Sequence, residues 1–244
     1  SLMGTEGEPM VRIPGQRIQE LRGLGAALER ARTVEEPDPQ ALAKLLRACR
    51  SIDYVRMDKL AEKYRAMLLR VGERLGKRLE FQVRPEGLEV SPGVFASLDE
   101  PLVHLLRNAA DHGIEGEAIR ILHGKPGPGR IELGLRDDLG TVEVTVTDDG
   151  GGIDVDRLAG KAISKGLITA EALAGMDDAR KAELIFLPGL SSRDESTEIS
   201  GMGVGMDAVA AWAKAVGGTV EVRSRPEEGT SIILRLPGDF ADRG

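Results

Sequence analysis

The chain has 244 residues, 41% of them hydrophobic and 30% charged, with a formal net charge of −7, a make-up that suits one medium globular domain and a smaller one. An acidic chain without a long basic run is a poor partner for nucleic acid, which demands clustered positive charge. Cys49 is the only cysteine, so no intrachain disulfide can form, as expected of a cytoplasmic protein, and no apolar run is long enough for membrane insertion.

Residues 1–11 lack periodicity and read as a loose terminus, in which Ser1 and Leu2 ahead of Met3 look like a cloning remnant. From Gln16 to Val34, Ile18, Leu21, Leu24, Ala27 and Leu28 recur at three and four, one helical stripe. Glu35-Glu36-Pro37-Asp38-Pro39 breaks it, because proline removes a donor and disfavours helix in the residue before it. A second helix is predicted from about Gln40 to Leu75, with Leu42, Leu45, Leu46, Cys49 and Ile52 on one side. Residues 12–75 thus read as a helical hairpin. A hairpin alone buries one seam of each helix; pairing with a second copy into a four-helix bundle would cover the rest, and packing on the remainder of its own chain is the alternative.

From Gly76 to the end the pattern alternates between strands and helices. Leu79–Val83 and Leu88–Val90 read as short strands, and Pro101–His112 as a helix. Ile131, Leu133 and Leu135 alternate, as do Val142, Val144 and Val146, with a hairpin signal at Asp138-Leu139-Gly140. Helices are expected at Val155–Lys165, Asp178–Phe186 and Val204–Val216, and strands at Thr219–Ser224 and Thr230–Leu236. A polar stretch without period runs from Gly189 to Gly201. The expected fold class is α/β, a two-layer α+β sandwich preceded by an α-helical hairpin.

Four constellations carry chemistry. In Pro101–His112 the leucines form a buried stripe, which leaves His104, Asn108 and Asp111 or His112 on the other face. Asn offers magnesium a hard oxygen, and a His one turn earlier can meet a phosphate or move a proton; alone, such a face is commonly just solvated. Asp148-Asp149-Gly150-Gly151-Gly152 follows an apolar strand. A carboxylate there can accept an adenine amine, and glycines let backbone approach the base, although an Asp-Gly turn is also common. Gly201-Met202-Gly203-Val204-Gly205-Met206-Asp207 opens a helix, whose N–H groups can hold phosphates; its spacing is neither the dinucleotide fingerprint nor the P-loop. Phe186-Leu187-Pro188-Gly189 would anchor the near end of the polar stretch as a lid.

The order of these signals resembles the Bergerat-type (GHKL) ATP-binding fold of histidine kinases, gyrase-type ATPases, Hsp90 and MutL. The wording "PLVHLLRNAADHGIE", "VTDDGGGID", "FLPGLSS" and "SGMGVGMDAV" resembles the chemotaxis kinase CheA family over about residues 99–237. The likeness is weaker over 12–98, where the helix pair is similar to that family's dimerisation hairpin in shortened form. The resemblance implies ATP and magnesium as cofactors, with residues 76–244 as the catalytic domain. Asn108 would ligand magnesium, and His104 would contact the γ-phosphate or help activate an incoming histidine. Asp111, His112 and Lys165 belong to the phosphate side. Asp149 would hold adenine in a pocket shaped by Gly151 and Gly152, with Thr230 nearby. Gly201, Gly203, Val204, Gly205 and Met206 would line the triphosphate.

The resemblance further implies transfer of phosphate to a histidine on a separate phosphotransfer domain, with a response regulator downstream. His123 has no phosphoacceptor context. A CheW-like coupling protein and a receptor would act through regions this chain lacks, since it stops soon after Pro237, and a homodimer is implied. Two departures bear on activity: Met202 stands where the family usually has Arg, and Leu190-Ser191-Ser192 where it has Phe-Ser-Thr. Two alternatives remain open, a degenerate nucleotide-binding scaffold and a conformational ATPase. The latter needs a carboxylate where this chain has His104.

Overall fold

The computed structural model describes residues 18–19, 21–23, 25–26, 55–84, 89–90, 92–125, 127–138, 141–190 and 205–237. Those described between 18 and 26 are helical, in keeping with the first predicted helix. The break at Glu35–Pro39, the stripe from Leu42 to Ile52 and Cys49 lie outside the described residues.

The second predicted helix is corrected. Among the described residues of that span, Val55–Arg56 forms a short strand, β1, and Met57–Leu75 is helical, as α1. Strand β1 pairs antiparallel with β3 (Glu89–Val90), Val55 opposite Val90. Extended backbone there forbids one helix running in from Gln40. Helix α1 ends by a recognisable device: Gly76 takes φ +64, and the N–H of Lys77 returns to the carbonyl of Gly72 at 2.9 Å, the two marks of a Schellman cap. Ala61, Tyr64, Leu68 and Val71, at helical spacing, pack into the same core as the main sheet. Helix α1 therefore shares one core with the sheet.

Helix α2 (Pro92–Asn108) starts nine residues before the predicted Pro101. Proline at its first position forfeits no helical bond, whereas Pro101 inside it has no N–H for the Ser97 carbonyl. Leu98, Leu102, Leu105 and Leu106 are its buried stripe. The next turn, Ala109–Gly113, is widened into a π turn closed by Ile114 N–H on the Ala109 carbonyl at 2.8 Å. Lys77 Nζ donates to the carbonyls of Ala110 and Asp111 at 3.0 and 2.6 Å. A short helix α3 (Glu117–Leu122) follows.

The five-stranded sheet runs β2-β4-β5-β7-β6, with β2 (Leu79–Arg84), β4 (Gly129–Asp138), β5 (Thr141–Asp148), β6 (Thr219–Arg225) and β7 (Gly229–Pro237). Strands β2 and β4 are parallel and the other neighbours antiparallel. The alternation read in the sequence is realised: Val142, Val144 and Val146 are buried opposite Leu236, Leu234 and Ile232. The other face is polar. Arg235 bridges Glu143 at 3.0 Å and Glu221 at 2.6 Å, and Thr147 meets Ser231 at 2.9 Å. One covered face and one wet face make the expected two-layer sandwich.

Helices α4 (Val155–Ser164), α5 (Ala170–Ala174) and α6 (Asp178–Ala182) are capped by Asp154, Thr169 and Asp177, each accepting a first-turn N–H. The predicted helix to Phe186 is α6 followed by a 3₁₀ turn, Glu183–Phe186. Helix α7 (Met206–Ala215) leads into β6. Among the described residues no helix is long and apolar enough to cross a membrane.

Candidate nucleotide site

Helix α2 and the start of α7 meet at three side chains. Asn108 and His104, one turn apart, join through Asn108 Nδ2 and His104 Nε2 at 2.9 Å. The same Nδ2 donates to the Met206 sulfur at 3.0 Å, across 98 positions of sequence. An amide NH₂ can only donate, so His104 Nε2 presents its lone pair and the ring carries its proton on Nδ1. Burial is the main cause that pulls the His104 pKa below its ordinary value, against the charge of Asp207 and with that of Arg107. With both amide hydrogens used, the Asn108 oxygen is the atom left to meet a cation. Gly205 precedes α7 with no side-chain cap; the Ala208 N–H is taken by the Gly205 carbonyl and Asp207 Oδ1, at 3.0 Å each, so the helix start beside Asn108 offers the N–H groups of Met206 and Asp207.

The second half of the site is the loop after β5. The period of two that buries Val142, Val144 and Val146 also buries Asp148, which is 6% exposed. Its carboxylate accepts the N–H of Gly150 at 2.9 Å, and that of Thr230. Burial dominates and pushes its pKa up to about 6; those two N–H groups oppose the rise, and the charges of Asp149 and Glu115 add to it. Among the described residues no cation pairs with Asp148. Gly113, at the end of the π turn that begins next to Asn108, lies so close that a Cβ there would sit 2.8 Å from this carboxylate. The π turn thus carries the chain from Asn108 to Asp148.

Asp149, expected to hold adenine, has its carboxylate engaged elsewhere. It lies one step out of register with the buried face and points away, accepting Arg120 Nη2 at 3.0 Å and the Arg130 N–H at 2.8 Å. The glycine assignments shift with it. A Cβ on Gly150 would meet the Gly113 carbonyl at 2.0 Å, and Gly152 takes φ +75 with its Cβ position 2.3 Å from the Arg225 carbonyl. Gly151 has ordinary room, its nearest neighbour being Glu115 at 3.5 Å. Gly150 and Gly152 are the close-approach positions, and Gly151 is not.

The remaining expectations divide. Thr230 faces Asp148 in register, its hydroxyl 3.1 Å from that of Ser224. Asp111 and His112 sit on the π turn, 3.9 Å apart, with His112 largely exposed. Lys165 is not brought to the site. It ends α4, and its Nζ donates to the carbonyls of Gly189 and Leu190 at 3.1 Å each, where it holds the near end of the expected lid. Leu190 is buried there against α4. Gly201, Gly203 and Val204 lie outside the described residues, as do Met202, Ser191 and Ser192. Sequence reasoning missed Asp148, Lys77 and the buried Arg120.

A buried carboxylate without a cation partner among the described residues, the first turn of α7 and an Asn–His pair are thus linked through the π turn. The family model for Histidine kinase-, DNA gyrase B-, and HSP90-like ATPase matches residues 97–239. The chain belongs to this family. Its ATPase fold carries ATP binding, and the expected likeness to CheA is borne out by relatives. The chain is 36% identical over 242 residues to the chemotaxis protein CheA of Halobacterium salinarum, covering 93% of this chain and 36% of that protein. It is 43% identical over 166 residues to a gliding motility regulatory protein of Myxococcus xanthus, covering 68% and 21%. To the CheA of Bacillus subtilis it is 33% identical over 183 residues, covering 75% and 27%. The chain thus spans about a third or less of the length of these relatives.

Proposed function

We propose that this chain is the ATP-binding core of a CheA-type histidine kinase, which transfers the γ-phosphate of ATP to a histidine on a separate phosphotransfer domain within cytoplasmic two-component signalling. The observation that carries it is the meeting of His104, Asn108 and Met206 at the open start of α7. Asp148, in place of Asp149, accepts the adenine amine, with Gly150, Gly152 and Thr230 shaping the base end. The N–H groups from Gly205 onward face the phosphates, since positioning and electrostatics dominate phosphoryl transfer.

Magnesium fits this donor set. Among the described residues no group of three or more His, Cys, Asp or Glu could hold a metal. Magnesium bound through phosphates needs only one or two protein ligands, and the Asn108 oxygen supplies one. When bound, the ion would neutralise phosphate charge. His104, whose neutral form burial favours, contacts the γ-phosphate or takes the proton shed by the incoming imidazole. A response regulator, a CheW-like coupling protein, a receptor and a second copy of the chain are the partners this reading brings.

The test is incubation of the chain with γ-labelled ATP, magnesium and an isolated histidine phosphotransfer domain. Label should reach the acceptor histidine, and Asn108→Ala should cut the rate about a hundredfold or more, as loss of a group that acts on the transferring phosphate does. Tight ATP binding with no transfer to any acceptor would overturn the kinase reading and favour the scaffold.

A further inference from the structure

Among the described residues the buried charged side chains are Asp148, which ends β5, and Arg120, which reaches the loop that follows it. Arg120, on α3, is 1% exposed. Its Nη1 donates to Glu115 Oε2 at 3.1 Å and to the Asp149 carbonyl at 3.2 Å, and its Nη2 to Asp149 Oδ2 at 3.0 Å and the Pro128 carbonyl at 3.2 Å. Lys125, just beyond α3, reaches the same place. Its Nζ donates to Glu115 Oε1 at 2.7 Å, to the Asp149 carbonyl at 3.0 Å and to the Gly150 carbonyl at 2.7 Å. The Gly151 N–H closes the ring on the Gly113 carbonyl at 3.0 Å.

We infer that Glu115, Arg120 and Lys125 are positioning residues for nucleotide recognition, a clamp that grips the main chain immediately after Asp148 and fixes where its carboxylate points. The inference rests on the reading of Asp148 as the adenine acceptor. Two features separate the clamp from an ordinary ion-pair cluster. Three of its bonds end on the carbonyls of Asp149 and Gly150, so it controls backbone as well as side chains. Its charges also cancel internally, Arg120 and Lys125 against Glu115 and Asp149, so neither cation is spent on Asp148. Burying such a set is costly and seldom repaid in stability, whereas the geometry it imposes is specific. Loosening it should turn the carboxylate away from the base amine while leaving the phosphate end alone.

The experiment compares magnesium–ADP with magnesium–IDP, whose base bears a carbonyl where adenine bears its amine. Calorimetry on the whole chain would cover wild type, Lys125→Met, Lys125→Arg, Arg120→Lys, Glu115→Gln and Asp148→Asn, each checked for cooperative melting. Wild type should prefer ADP. Lys125→Met should weaken ADP about tenfold and IDP hardly at all, the usual size for loss of a supporting outer bond, so that the preference collapses. Lys125→Arg should restore it. Partial unfolding would weaken both ligands together and leave the ratio unchanged. Should Lys125→Met prove unfolded, Arg120→Lys and Glu115→Gln report the same ratio. Folded clamp variants that keep the wild-type ratio, while Asp148→Asn loses it, overturn the clamp alone. A wild type that does not discriminate, or an Asp148→Asn that discriminates as well, overturns the reading of Asp148 and the clamp with it.

Discussion

Ionising Asp148 works against the folded protein. Its pKa stands at about 6 in place of 3.8, chiefly because burial strips water from the charged form. An acid whose pKa is raised by folding favours the fold fully below its unfolded pKa. That support is lost as pH climbs from about 3.8 through about 6. At neutral pH the ionised carboxylate therefore costs the free protein on the order of 3 kcal/mol. The adenine contact proposed above favours this same ionised form, since a carboxylate accepts an amine more strongly than a protonated carboxyl does. Asp148→Asn should raise the melting temperature at pH 7 by several degrees and weaken ADP binding about tenfold or more. Wild-type affinity should fall as pH drops through about 6, and the variant should lose that dependence; calorimetry and melting curves across pH 5–8 would show both. A variant that binds ADP normally at every pH would remove Asp148 from the site. The residue itself was legible in the sequence. Alternation through Val142, Val144 and Val146 reaches Asp148 on the buried face and puts Asp149 on the other. The motif reading overlooked it because it treated the two aspartates as one loop.

The loop that follows Asp148 turns on which glycine is crowded, and sequence could not say. Three glycines in a row look alike, yet the Gly113 carbonyl presses on Gly150, the Arg225 carbonyl on Gly152, and only a glutamate side chain at ordinary distance on Gly151. These neighbours come from a π turn and a β-turn far away in sequence, so nothing local marks them. Gly152→Ala combines a positive φ with a backbone clash and should cost about 2 kcal/mol or more, whereas Gly151→Ala should stay within about 0.5 kcal/mol. Chemical denaturation of the two variants would test the contrast, and equal losses would contradict it. The same blindness to distant partners explains the other misreadings. Pro101 looked like a helix start because proline favours that position, but the helix begins at Pro92 and tolerates Pro101 inside. Strand β1 was hidden in a helical pattern because its partner Glu89–Val90 lies more than thirty residues on. The long strands and helices α4 and α7 were readable because their apolar periods survive whatever they pack against.

At the scale of the molecule the question is where the catalytic unit begins. The line was drawn at residue 76 because the period changes there from helix to strand. A change of period marks a new element, which is not the same as a new unit. Helix α1 delivers Ala61, Tyr64, Met67 and Leu68 into the core beneath the sheet, all 8% exposed or less. Tyr64 donates its hydroxyl to Asp99 on α2 at 3.0 Å, and Lys63 reaches the same carboxylate at 2.6 Å. Lys77, just past the end of α1, holds the π turn next to Asn108. Removing α1 would expose the surfaces it covers on α2 and β2. With each large apolar side chain worth about 1.5–3 kcal/mol when buried, the loss rivals the entire stability of about 5–15 kcal/mol typical of a domain. A chain starting at Val55 keeps β1, α1 and their partners; it should melt cooperatively and bind ADP. A chain starting at Gly76 should neither melt cooperatively nor bind. If the shorter chain folded and bound ADP as well as the longer, α1 would be an appendage and the original line would stand. Light scattering on the same pair of samples, beside the full chain, asks the remaining question. A dimer that survives only when residues 12–54 are present would assign pairing to the segment ahead of β1, and leave the nucleotide site complete within one copy.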